Sequence, residues 1–189
     1  MKRFAWGFVA LILLSSSTLA QDVDYGIIGG LGFSFFDGYD ENAGVITKVA
    51  PGINLGATGS FEYKDNIFLR GTIAYSKYFA AADEFTGGYK IDYSVSDFAL
   101  EGDANYYIND NMYGIAGIGI HMVTYSVEWT GWGYWFDGTY DYGETKIGLH
   151  VGGGYKLSDQ LAVEAKYILV GDVPQLKVSA VYYLGTYSF

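Results

Sequence analysis

The chain has 189 residues, a formal net charge of −10, no cysteine and only two prolines, against 27 glycines, 19 tyrosines and 12 phenylalanines. The acidity argues against nucleic acid as a partner, because a phosphate backbone is held by clustered Lys and Arg. Without cysteine there is neither a disulfide framework nor thiolate chemistry, and no run after the N-terminal one has the 18 consecutive apolar residues of a membrane helix.

Lys2 and Arg3 precede an apolar run from Phe4 to Leu14, followed by Ser15, Ser16, Ser17, Thr18, Leu19 and Ala20. A basic start, a short apolar stretch and small residues predict a signal peptide over 1–20, cut after Ala20 and exported through the Sec pathway. No cysteine follows it, which argues against a lipid-anchored lipoprotein. Residues 21–189 then form one domain.

The first strand is expected at Tyr25–Phe35, with Tyr25, Ile27, Leu31, Phe33 and Phe35 on one face and Gly26, Gly30, Gly32 and Ser34 on the other. A polar link around Asp37 to Asn42 follows. From Val49 to Phe79 the chain alternates, breaks at Lys64-Asp65-Asn66, and alternates again, which reads as strand, turn, strand. Glu62 and Arg70 lie mid-strand on a small, glycine-rich face, opposite a face of aliphatic and aromatic residues. A soluble barrel packs the bulky face inside, whereas a membrane barrel turns it to lipid.

After a polar segment from Ala80 to Lys90, the fourth strand changes parity, from Ile91, Tyr93 and Val95 to Phe98, Leu100 and Tyr106. A one-residue bulge near Ser96 would restore its faces. Asn109-Asp110-Asn111 marks a turn, strand five covers Met112 to Val127, and an aromatic loop runs from Glu128 to Gly143. Strands six and seven span Glu144–Leu157 and Leu161–Leu169, separated by Ser158-Asp159-Gln160. The last strand, Gln175 to Phe189, carries two conflicting parities that a bulge near Gly185 reconciles. Pro51 is placed at the rim, where its missing N–H breaks no ladder bond, and Lys77 reaches from the outer face toward lipid headgroups.

Eight strands result, with three short turns on the side of the chain ends and longer links opposite. The export signal, the alternating strands, the run from Gly152 to Glu164 (GGGYKLSDQLAVE) and the closing Tyr187-Ser188-Phe189 resemble the small outer-membrane β-barrel family of OmpX-like proteins and the OmpA transmembrane domain. The resemblance implies an all-β fold, an eight-stranded antiparallel up-and-down transmembrane β-barrel in the outer membrane of a Gram-negative cell. It also implies outer-membrane lipid and lipopolysaccharide as surroundings, and the barrel-assembly machinery as the reader of the terminal aromatic. Unlike OmpA, the chain shows no peptidoglycan-binding domain after the barrel.

An eight-stranded barrel is filled by side chains, so interior charges need partners. Glu62, Arg70, Glu101, Asp103, Lys146, Lys156, Glu164 and Lys166, with Lys177, are assigned to a lumen ion-pair network; a gated solute path is the alternative. The two histidines, His121 and His150, face each other directly if the hairpin between strands five and six is centred at Trp135-Phe136. No other His or Cys completes a metal site, so no metal or other cofactor is expected. Lipid-modifying enzymes occur on this architecture, but both histidines lie inside strands, away from the rim where such enzymes work, and no catalytic residue is assigned. Trp129, Trp132, Tyr134, Trp135 and Phe136 form the candidate binding surface, for host or cell-surface ligands. The expected role is therefore structural or adhesive, through the outer loops. A narrow channel and a lipid-modifying enzyme are the rivals, with a periplasmic carrier as the soluble alternative.

Overall fold

In the computed structural model, which describes residues 22–40, 44–79, 83–85, 89–130 and 138–188, alternation becomes strand almost everywhere. The strands are β1 (Asp22–Asp40), β2 (Gly44–Lys64), β3 (Ile67–Phe79), β4 (Asp83–Phe85), β5 (Tyr89–Tyr107), β6 (Met112–Thr130), β7 (Gly138–Lys156), β8 (Leu161–Val170) and β9 (Gln175–Ser188). Strand β4 is a three-residue rider on the start of β5. The other eight pair antiparallel in chain order, β3 passing to β5, and β1 pairs with β9 to close the ring. Closure pairs each of the eight strands on both sides where the wall is complete, the condition for a sheet to cross lipid. The fold is the expected eight-stranded up-and-down barrel.

Local chemistry sets the turns. Asn66 adopts φ 66° in the two-residue turn between β2 and β3, a left-handed conformation that asparagine tolerates better than most residues. Before β6, the Asn109 side-chain oxygen accepts the amide N–H groups of Asn111 and Met112 at 3.0 and 2.8 Å. On the opposite side, the Phe35 N–H donates to the Pro174 carbonyl, so Phe33, two residues earlier, also directs its amide toward β9. Pro51, paired with Phe33, therefore turns its nitrogen toward β3, whose ladder ends one residue away at Gly52 and Tyr78.

Three expectations about boundaries and register change. Strands run through Asp37–Asp40, Glu128–Thr130 and Gly138–Gly143, which the sequence reads as loop. Their ladders continue although the polarity alternation has stopped; along Glu128–Thr130 and Gly138–Gly143 this is because both faces meet water. No bulge occurs near Ser96; β5 keeps one register from Lys90 to Tyr107. Tyr93 and Val95 point inward with Asp97, so the change of parity records an apolar layer of the interior and not a kink. In β9 the expected bulge is present: Tyr25 pairs with Gly185 and Gly26 with Tyr183, leaving Leu184 as the extra residue.

The outward face fixes where the bilayer lies. Ile118 and Ile120 on β6 and Ile147, Leu149 and Val151 on β7 are exposed apolar residues in its middle. Tyr25, Tyr63, Tyr106, Tyr155, Tyr182 and Tyr187 ring the turn side, and Phe33, Tyr75, Phe79, Phe98 and Tyr167 the other, as the two aromatic girdles of a membrane barrel do. Beyond Phe98 and Met122 the same faces carry Ser96, Ser94, Thr124 and Ser126. At 19 residues, β5, β6 and β7 have about twice the ~9–11 that a membrane strand needs, so their outer halves stand in water.

Placing Arg at Leu149, at the middle of the band, should destabilise the barrel by about 2–4 kcal/mol. Thr124→Arg, beyond it, should change stability little; equilibrium unfolding in lipid vesicles measures both.

Candidate functional site

The lumen is layered. Toward the outer side Phe36, Ala50, Tyr78, Val95, Val123, Ile168, Val170 and Val173 pack together, with Tyr93 and Tyr125 against them. Toward the turns Ile28, Tyr113, Ile115, Ala162 and Val181 form a second apolar cluster, flanked by Tyr107 and Tyr183. Between them lies a belt of buried charge.

Its centre is Arg70 on β3. One guanidinium nitrogen donates to Asp103 Oδ2 of β5 at 3.0 Å and the other to Glu164 Oε1 of β8. Tyr113 donates to the same Glu164 oxygen at 2.6 Å. Lys166 donates to Glu101 Oε2 at 2.5 Å and Asp103 Oδ2 at 3.1 Å. Lys177 stands 3.8 Å from Asp97 and Glu101. Above this belt Tyr78 donates to Gln175, which donates to Asp97 Oδ2 at 3.0 Å. These contacts join walls far apart in sequence, and none reaches bulk water.

Six of the nine assigned charges, Arg70, Glu101, Asp103, Glu164, Lys166 and Lys177, thus meet in the belt. Glu62 does not: it is exposed beside the register shift that ends β2. It has the inward parity but lies past the wall. Lys156 sits at the turn-side mouth, its ammonium 4.4 Å from the Tyr107 ring centroid, beside a pocket of about 240 Å³ lined also by Phe68 and Tyr183. Lys146 sits at the outer mouth, paired with Glu144 at 2.6 Å and with Asp172; its hydrogen bond holds the Asp172 carboxyl below the usual carboxylate range. Asp97, Gln175, Tyr78 and Tyr113 belong to the interior network although the sequence did not single them out. Asp97 was obscured by the expected bulge beside it.

The histidines meet, but not as direct partners. His121 pairs with Lys146 across the ladder and His150 with Gly117, a register four residues from the expected one because the hairpin is centred nearer its start. Their Nε2 atoms are nonetheless 3.1 Å apart. Glycines make the diagonal approach possible: a Cβ on Gly148 would lie 2.6 Å from the His121 ring, and one on Gly119 3.0 Å from both imidazoles. Each outer nitrogen is held by a carboxylate, His121 Nδ1 3.0 Å from Asp97 Oδ2 and His150 Nδ1 3.0 Å from Asp103 Oδ1. A line of four groups, Asp97, His121, His150 and Asp103, thereby runs inside the barrel.

Of the candidate binding surface, Trp129 is at the outer end of β6, 39% exposed. Trp132, Tyr134, Trp135 and Phe136 lie outside the described residues, as does the stretch assigned to the signal peptide.

Residues 6–182 match the family described as outer membrane protein beta-barrel domain. The chain belongs to that family. It is an outer-membrane β-barrel protein, and solved barrels share its architecture. Ail, the attachment invasion locus protein of Yersinia pestis, solved with the heparin analogue sucrose octasulfate, is similar at 17% identity and a TM-score of 0.54, over 88% of this chain and 100% of that one. Neisserial surface protein A is similar at 14% identity and a TM-score of 0.56, over 87% and 97%. No curated protein sequence matches the chain.

Replacing Arg70 with Ala leaves Asp103 and Glu164 short of a buried partner and should cost the outer-membrane barrel about 3–5 kcal/mol. Urea unfolding in detergent or vesicles measures the loss.

Proposed function

We propose that the protein is a closed, non-catalytic barrel that serves the cell surface through its projecting hairpins, in adhesion or envelope integrity. The observation that carries this reading is the filled lumen: two apolar clusters enclose a paired belt of charge, which leaves the outer hairpins as the part free to meet a partner. The pairs β1–β2 and β6–β7 extend farthest, and their ladders continue past the apolar band. In sequence, β6 and β7 are joined by the tryptophan-containing stretch 131–137. Rigid aromatic side chains bury large area at small entropic cost, which suits a binding tip.

Ail was solved with a polysulfated sugar analogue; the net charge of −10 favours a neutral or basic partner on this chain instead. Catalysis has no part in this reading. Both imidazoles are held between carboxylates deep in the lumen, away from the rim where a lipid substrate would sit. Export through the Sec pathway with loss of residues 1–20, and insertion by the barrel-assembly machinery reading the final aromatic, complete it.

Deleting residues 131–137, which leaves the paired arms intact, should abolish adherence of expressing cells to host-cell or matrix surfaces while the barrel still folds. Full adherence by a folded deletion overturns the adhesive role. The channel alternative is tested in planar bilayers, where the native barrel and a folded Arg70 variant should show negligible conductance. A steady conductance in the native protein would restore the solute path.

A further inference from the structure

Among the described residues the buried belt contains four carboxylates, Asp97, Glu101, Asp103 and Glu164, and three permanent cations, Arg70, Lys166 and Lys177. It is one positive charge short. Tyr78 and Tyr113 face the same space and carry none, and Lys146 is committed at the outer mouth to Glu144 and Asp172. An unbalanced charge shut away from water is costly, so the missing cation must be found in the remaining buried groups, His121 and His150.

Hydrogen-bond geometry says how they supply it. An ionised carboxylate only accepts, so His121 Nδ1 carries a proton toward Asp97 and His150 Nδ1 carries one toward Asp103, each at 3.0 Å. The two Nε2 atoms remain, 3.1 Å apart, with ring centroids 5.4 Å apart and planes at 86°. That centroid separation equals the nitrogen gap plus one ring radius on each side, so the nitrogens point straight at each other. Two lone pairs opposed in this way repel, and two N–H groups collide. One proton between them makes a hydrogen bond.

We propose that His121 and His150 hold one shared proton, making the pair a single cation that completes the charge balance of the lumen. Three protons then occupy the four ring nitrogens. The extra proton belongs between the imidazoles because the opposed Nε2 atoms have no other partner to make a hydrogen bond, whereas Asp97 and Asp103 each already accept from an Nδ1–H. A divalent metal is the competing occupant. Both histidines and Glu101 offer ligand atoms within 4.8 Å of one another, and Glu101 Oε1 accepts no hydrogen bond. Chelation needs the two nitrogen lone pairs to converge on a point off the line joining them, whereas here they are collinear.

The test is nitrogen NMR of the folded, detergent-solubilised protein with ¹⁵N-labelled histidine at neutral pH. Three protonated ring nitrogens, with coupling across the Nε2–H···Nε2 bond, are expected. Two or four protonated nitrogens, or stoichiometric metal by elemental analysis, overturn the proposal. A second measurement uses charge compensation. His121→Gln should lower the urea midpoint, and Asp97→Asn in the same chain should restore part of the loss by removing the surplus negative charge. A double variant less stable than His121→Gln alone also overturns it.

Discussion

A ring of eight strands is too narrow to hold bulk water, and most of this molecule follows from that constraint. Each inward side chain must find its partner on another wall. Arg70 on β3 binds Asp103 on β5 and Glu164 on β8, and Lys166 on β8 returns to Glu101 and Asp103 on β5. Breaking one of these pairs strands a charge where nothing else can solvate it. The inward glycines answer the same constraint from the other side, yielding volume where a large partner must cross. Gly154 stands under the Tyr113 ring and Gly148 beside His121.

Outside the ring the logic is reversed. Lipid replaces the usual core as the destination of apolar side chains, so large aliphatic residues stand exposed: Leu31, Ile53, Leu55, Ile118 and Ile147. Two aromatic girdles bound this band, and past the outer girdle the strands continue with polar faces. The wall is uneven in height. Strand β8 has 10 residues and turns into β9 through a short link, while β2 has 21. The tall side therefore presents two hairpins to the medium, and the low side closes with Lys146 tied to Asp172.

Membership in the outer-membrane β-barrel family accounts for the architecture and the compartment but leaves the activity open, since one barrel form hosts many roles. Two features of the chain bear on that question. One is the aspartate–histidine–histidine–aspartate line through the belt, a polar axis between two dry clusters. The other is the aromatic sequence 131–137 that joins β6 to β7. The first lies inside the lumen, and the second joins the outer ends of β6 and β7 along the chain.

Much of the fold was legible in the sequence because a membrane wall imposes a period of two with opposite chemistry on its faces. Ile147, Leu149 and Val151 against Lys146, Gly148 and His150 carry that rule in plain form, and the two parities of the last strand asked for a bulge near Gly185, which the structure places at Leu184. Where both faces meet the same medium, the rule falls silent. Glu128–Thr130 and Gly138–Gly143 therefore read as loop, although their backbones stay paired. Parity also says nothing about height along the axis. Glu62, Lys146 and Lys156 have the inward phase, yet they lie at the mouths, and only the closed ring separates them from Arg70 and Glu164. The histidine contact was decided by tertiary structure too. Sequence spacing supplies ladder partners, but an imidazole reaching diagonally over Gly119 and Gly148 depends on curvature, and curvature exists only once the sheet has closed.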